Sequence, residues 1–141
     1  MRIVAGKFRG LSLATPKDDR VRPTSDRVRE ALFNVLAHND FGVGFQIDGA
    51  RVLDLFAGTG ALGLEALSRG ARYVLFVDDH HESRGLIRRN VDAARATGVT
   101  KIWRRDATLL GQMPPNAGGP FDLAFMDPPY RKDLVPLALA S

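Results

Sequence analysis

Apolar residues in this chain fall in short dense runs separated by stretches of helical spacing. Arg51-Val52-Leu53-Asp54-Leu55, Tyr73–Val77, Val99–Trp103 and Phe121–Met126 are nearly continuous in hydrophobicity, the pattern of strands buried on both faces. A helix is predicted from the cap at Thr24 or Ser25, opening with Asp26 near its positive end. Val28, Ala31, Leu32, Val35 and Leu36 stand at i, i+3, i+4, i+7 and i+8, so that side is expected to face the core. A second helix runs through Arg69 and is closed by Gly70. A third covers His80 to Thr97, with Leu86, Ile87, Val91 and Ala94 inward and Gly98 as its stop. Gly85 inside it suggests a close approach to a neighbour. Residues 1–14 read as a hairpin whose turn, bracketed by Gly6 and Gly10, carries Lys7, Phe8 and Arg9. The alternation implies an α/β fold with a parallel sheet and right-handed crossovers, in strand order 3-2-1-4.

Length and composition narrow the class. The 141 residues suffice for one domain with a real core, and 45% hydrophobic with 26% charged content fits a globular protein. No apolar run reaches membrane-spanning length and the N-terminal stretch lacks a signal-peptide core. The absence of cysteine removes disulfides, thiolate metal sites and any cysteine nucleophile. A cytoplasmic location is the expectation. His80 and His81 have no third ligand at useful spacing, so no metal site is expected. The net charge of +4 sits wholly in residues 1–30, which hold eight Lys/Arg against four Asp/Glu. A basic arm of residues 1–24 ahead of a neutral body, residues 25–141, suggests a polyanionic partner. Basic side chains around Phe8 suit phosphate contact and base stacking.

Two stretches carry candidate chemistry. Gly58, Gly60 and Gly63 fit G-x-G-x-x-G between a strand and a helix, and Asp78 closes the next strand eighteen residues after Gly60. That arrangement is the signature of a nucleotide-type site, with a carboxylate placed to take ribose hydroxyls. Asp106 and the N–H of Ala107 could read an adenine edge, or Asp106 could simply cap a short helix. The last strand ends in Asp127-Pro128-Pro129-Tyr130. There a carboxylate and the Pro128 carbonyl could accept from a planar amine while Tyr130 stacks on its ring. In order 3-2-1-4 this tetrapeptide and the glycine loop open into one crevice. The loop could take a dinucleotide or S-adenosylmethionine. Asp54, four residues before Gly58, and the nearby tetrapeptide favour S-adenosylmethionine, whose sulfonium is a cation.

With these stretches in view, the chain resembles the bacterial methyltransferase family that modifies the N2 amine of guanine(966) in 16S ribosomal RNA. The resemblance rests on Arg22-Pro-Thr-Ser-Asp-Arg-Val-Arg-Glu-Ala-Leu-Phe-Asn-Val-Leu36, on residues 52–71, on Asp127-Pro-Pro-Tyr130 and on the opening Arg2–Gly10. It implies a Rossmann-like class I methyltransferase fold with an N-terminal hairpin and helix extension. It also implies Asp54, Phe56, Gly58, Gly60, Asp78, Asp106 and Ala107 around the cofactor, and Asp127, Pro128 and Tyr130 around the target base. Lys7, Arg9, Arg20, Arg22, Arg27 and Arg29 would contact RNA, free or in an assembling small subunit. Asp78 stands where the family usually has the longer Glu. The family's sheet has seven strands, whereas this chain ends soon after Tyr130, so strand four is expected as an exposed apolar edge. The alternatives are another amino-group methyltransferase, acting on adenine, another guanine or protein, and a non-catalytic binding module.

Overall fold

The computed structural model describes residues 1–15, 26–38, 46–55, 57–104, 120–126 and 135–138. The helix α1 (Asp26–His38) precedes strand β1 (Arg51–Leu55), helix α2 (Ala61–Ser68), strand β2 (Tyr73–Val77) and helix α3 (His81–Ala93). A 3-10 turn (Thr97–Val99) leads into β3 (Thr100–Trp103), followed by β4 (Leu123–Met126) and β5 (Val135–Ala138). The sheet order is β3-β2-β1-β4-β5. The first four strands are parallel, in the order expected, and β5 runs antiparallel along β4.

That last strand corrects the sequence reading. The expectation was an exposed β4. Instead Val135 pairs with Met126 and Ala138 with Leu123, so β4 is not an edge.

The central strands alternate between two apolar layers. Val52, Val74, Phe76, Leu123 and Phe125 face a large cluster with the helices and hairpin, while Leu53, Leu55, Leu75, Val77 and Ala124 face a second. Burial on both sides explains why these strands read as continuous apolar runs. Gly63 lets α2 lie against β2: a Cβ there would stand 2.4 Å from Phe76 Cε1 and 2.7 Å from Val74 Cγ1.

Three local expectations change. The buried side of α1 is Arg29, Phe33 and Leu36, with Leu32 half-buried, whereas Val28 and Val35 are 49% and 53% exposed. Phe33 meets Phe125 at 5.6 Å between ring centres, which fixes this rotation against β4. Among the described residues nothing lies within 4 Å of where a Gly85 Cβ would be, so none of them approaches it closely. The end of α3 is set by Arg95 rather than Gly98. Arg95 is left-handed at φ 55°, the Ala96 N–H reaches the Val91 carbonyl and the Arg95 N–H reaches Asp92, the paired bonds of a Schellman ending.

The N-terminal hairpin forms around an antiparallel bridge between Arg2 and Ser12. It adds Ile3 and Leu13 to the core, at 1% and 5% exposure. It lies along α2. Its open end touches the loop before that helix, through the hydroxyl of Thr59 on Met1 Sδ at 3.7 Å. Its turn sits on the other end, where the Lys7 N–H donates to the Ser68 carbonyl at 2.8 Å. No helix among the described residues is long and apolar enough to cross a membrane.

Candidate functional site

Four parallel strands finish level with one another. Leu55 is paired with Val77 and with Met126, and Val77 with Trp103. The chain therefore leaves β1 and β4 side by side, one strand spacing of about 4.8 Å apart, at the edge where open α/β sheets take ligands. Of the expected site residues, Asp54, Gly58, Gly60, Asp78, Lys7, Arg9, Arg27 and Arg29 are described. Phe56, Asp106, Ala107, Asp127, Pro128, Tyr130, Arg20 and Arg22 lie outside the described residues.

The loop from Ala57 to Gly60 is built on left-handed glycines, Gly58 at φ 59° and Gly60 at φ 80°. Side-chain-bearing residues resist that conformation. The Asp78 carboxylate holds the loop, accepting the Gly58 N–H at 3.0 Å on one oxygen and the His80 N–H at 2.9 Å on the other. A carboxylate has roughly four acceptor positions, and among the described residues these two N–H groups occupy two of them. Asp78 is half-buried.

Asp54, at the end of β1, is tied to the start of α2. It is 1% exposed, and its Oδ2 accepts the Gly63 N–H at 3.1 Å inside the first turn of α2. The Gly60 N–H is taken by the Ala57 carbonyl at 2.8 Å and the Ala61 N–H by the Thr59 hydroxyl at 3.3 Å. Three donors at the start of α2 are thus engaged inside the protein, and a fixed carboxylate occupies the positive end of the helix dipole.

The basic residues divide. Lys7 and Arg9 are exposed at the hairpin turn, and Arg27 is exposed on α1. The turn rests on Ser68 at the far end of α2, about 12 Å along that eight-residue helix from the glycine loop. Phe8 is half-buried against the core with Lys7 Nζ 5.2 Å from its ring centre, so it packs inward rather than standing ready to stack. Arg29 is a correction. It is 0% exposed, and its guanidinium donates to the Arg2 carbonyl and to Asp26 Oδ1 at 2.8 Å, with Nε 3.6 Å from Glu65. A buried, ion-paired guanidinium is not available to an RNA phosphate.

Sequence reasoning overlooked the polar residues that join these parts. Glu65 is fully buried and accepts the N–H groups of Val4 at 2.9 Å and Ala5 at 3.1 Å, together with Arg69 Nε at 2.9 Å. The signal was present: α2 is buried on every side, so a carboxylate within it had to find partners. Asn90 of α3, 1% exposed, accepts the Ala14 N–H at 2.6 Å and donates to the carbonyls of Ala14 at 3.1 Å and Thr59 at 2.8 Å. Partial burial alone would raise the Asp26 carboxyl. The hydrogen bonds from Arg29 and the Arg2 N–H outweigh it and hold Asp26 below the usual carboxylate range.

Comparison with known proteins adds an independent line. The sequence model of the family described as conserved hypothetical protein 95 matches residues 1–140. The protein named ribosomal RNA small subunit methyltransferase D of Escherichia coli K12 is 40% identical over 136 residues, 96% of this chain and 63% of that protein. The protein of the same name from Haemophilus influenzae is 33% identical over 140 residues, 99% of this chain and 69% of its own length. The chain thus spans about two thirds of the length of these relatives. Among solved structures, the Escherichia coli protein yhhF superposes with a TM-score of 0.74 at 37% identity, over 94% of this chain and 65% of that one.

Proposed function

The chain belongs to the conserved hypothetical protein 95 family, and from that premise we propose that it transfers a methyl group from S-adenosylmethionine to the N2 amine of a guanine in small-subunit ribosomal RNA. The relatives named ribosomal RNA small subunit methyltransferase D support the reaction class and the RNA. The observation that carries the cofactor is the start of α2. A dinucleotide sets its pyrophosphate on free N–H groups at a helix N-terminus. Here those of Gly60, Ala61 and Gly63 are engaged, the last by the buried Asp54 carboxylate. Added negative charge is repelled at such a point, and a sulfonium with an ammonium nearby is favoured. Gly58 and Gly60 present bare backbone to the ligand, and the Asp78 carboxylate accepts from the ribose hydroxyls.

S-adenosylmethionine supplies, when bound, a methyl group made electrophilic by its sulfonium. The protein's own part is placement. By the resemblance, Asp127 and the Pro128 carbonyl accept the two N–H groups of the guanine amine, which turns its lone pair toward the cofactor. They would also stabilise the positive charge that develops on nitrogen as the methyl leaves sulfur for it, the cofactor departing as S-adenosylhomocysteine. The amine becomes strongly acidic on methylation and releases its proton without a dedicated base. Tyr130 stacks on the base once it has left its helix. The level ends of β1 and β4 support this pairing of cofactor loop and base-holding turn. Phe56, Asp106 and Ala107 complete the cofactor surroundings in the same reading. Lys7, Arg9, Arg20, Arg22 and Arg27 meet phosphates. The first two, at the far end of α2, reach RNA flanking the target rather than the target nucleotide.

Calorimetric titration with S-adenosylhomocysteine and with NAD tests the cofactor, and transfer of labelled methyl to 16S RNA or assembling small subunits tests the reaction. Binding of the homocysteine, none of NAD, and transfer that Asp127→Ala abolishes is the expected result. Tight NAD binding without the homocysteine would overturn it.

A further inference from the structure

We infer that Asn90 is a positioning residue that couples the cofactor loop to the N-terminal hairpin, so that filling the loop tightens the hairpin's attachment. This rests on the reading of the Ala57–Gly60 loop as the cofactor site. One buried amide uses both of its donor hydrogens and its oxygen on two segments far apart in the chain. Its Nδ2 donates to the Thr59 carbonyl at 2.8 Å and to the Ala14 carbonyl at 3.1 Å, and its Oδ1 accepts the Ala14 N–H at 2.6 Å. The Ala14 N–H demands an oxygen opposite it, which fixes the amide's orientation.

Thr59 sits between the two glycines that would face the ligand. A ligand that shifts or steadies its carbonyl must carry the Asn90 amide with it, because a donor left unsatisfied at 1% exposure is costly. Moving the amide moves Ala14, the residue just after the Leu13–Met1 pairing that closes the hairpin. The Thr59 hydroxyl bond to Met1 Sδ attaches the other hairpin strand to the same residue. One strand of the hairpin thus reaches Thr59 directly through Met1, and the other reaches it through Asn90. The basic turn at the hairpin's other end is thereby held more firmly when cofactor is present, and RNA is met preferentially by the loaded protein.

Amide hydrogen exchange of the wild-type protein, with and without saturating S-adenosylhomocysteine, decides without any variant. The Ala14 amide is expected to slow about five-fold or more, relative to the Arg9 amide, which is bonded within the turn to the Gly6 carbonyl. In Asn90→Ala that relative slowing is expected to vanish while the ligand still binds. Binding that leaves the Ala14 to Arg9 ratio unchanged overturns the coupling alone, as does retention of the slowing in Asn90→Ala. No calorimetric binding of S-adenosylhomocysteine overturns the cofactor reading and the coupling with it.

Discussion

Gly6 and Gly10 share a backbone conformation, φ 85° and 84°, yet differ in surroundings. A Cβ on Gly6 would stand 1.9 Å from the Ser68 carbonyl oxygen, whereas one on Gly10 meets none of the described residues within 4 Å. Gly10→Ala therefore costs only the left-handed conformation, about 1–2 kcal/mol. Gly6→Ala must also push the hairpin off α2 and is expected to cost about 1–3 kcal/mol more. Urea unfolding of the two variants separates conformational strain from close approach, and equal losses would show that the hairpin is not seated on Ser68. Asp26 gives a pH signature at the same scale. Its carboxyl is held low in the fold, so its contribution is complete above the ordinary value of about 3.9 and fades as pH falls through the depressed one. The urea midpoint of Asp26→Asn should therefore lie below that of wild type at pH 5, and the two should converge as pH falls toward 2.

At the level of elements, α3 has two removable faults. Arg95 adopts a left-handed conformation that glycine takes freely, and Gly85 occupies an interior position where an added Cβ would meet none of the described residues within 4 Å. Arg95→Gly and Gly85→Ala should each add about 0.5–1 kcal/mol. Ten positions apart, or about 15 Å along a helix axis, they should add within about 0.5 kcal/mol in the double variant. A clearly sub-additive melt would mean that the helix end and its middle share a contact. The same helices show what the sequence could reveal. The elements, the strand order and the glycine loop were legible because periodicity and turn chemistry are local. The rotation of α1 was not, because Arg29, Leu32, Phe33 and Leu36 stand at the same i, i+3, i+4, i+7 spacing as the more apolar set that starts at Val28. Arg29 reads as a surface residue until Glu65, on another helix, gives it a partner. β5 was missed for a related reason. The run Leu134-Val-Pro-Leu-Ala-Leu fits a short helix or a strand equally, and only its pairing with β4 settles it.

On the scale of the whole molecule, positive charge falls into two sets that a count of basic residues merges. One set binds the protein to itself. Arg29, fully buried between Asp26, Glu65 and the Arg2 carbonyl, fastens hairpin, α1 and α2 into one body, alongside the bonds from Val4 and Ala5 to the same Glu65. The other set, Lys7, Arg9 and Arg27, is exposed and free of that duty. Binding of small-subunit RNA measured across salt concentrations tells them apart. Loss of an exposed cation that meets a phosphate lowers the slope of log K against log salt by about 0.7–0.9. Lys7→Ala combined with Arg9→Ala should accordingly flatten the slope by roughly one to two while leaving the melting temperature nearly unchanged. Arg29→Ala should do the reverse, losing about 3–5 kcal/mol of stability because it breaks a buried ion pair, with the slope of whatever remains folded unaltered. A flattened slope in Arg29→Ala at undiminished stability would return that side chain to the RNA surface and undo the assignment of the hairpin's anchor.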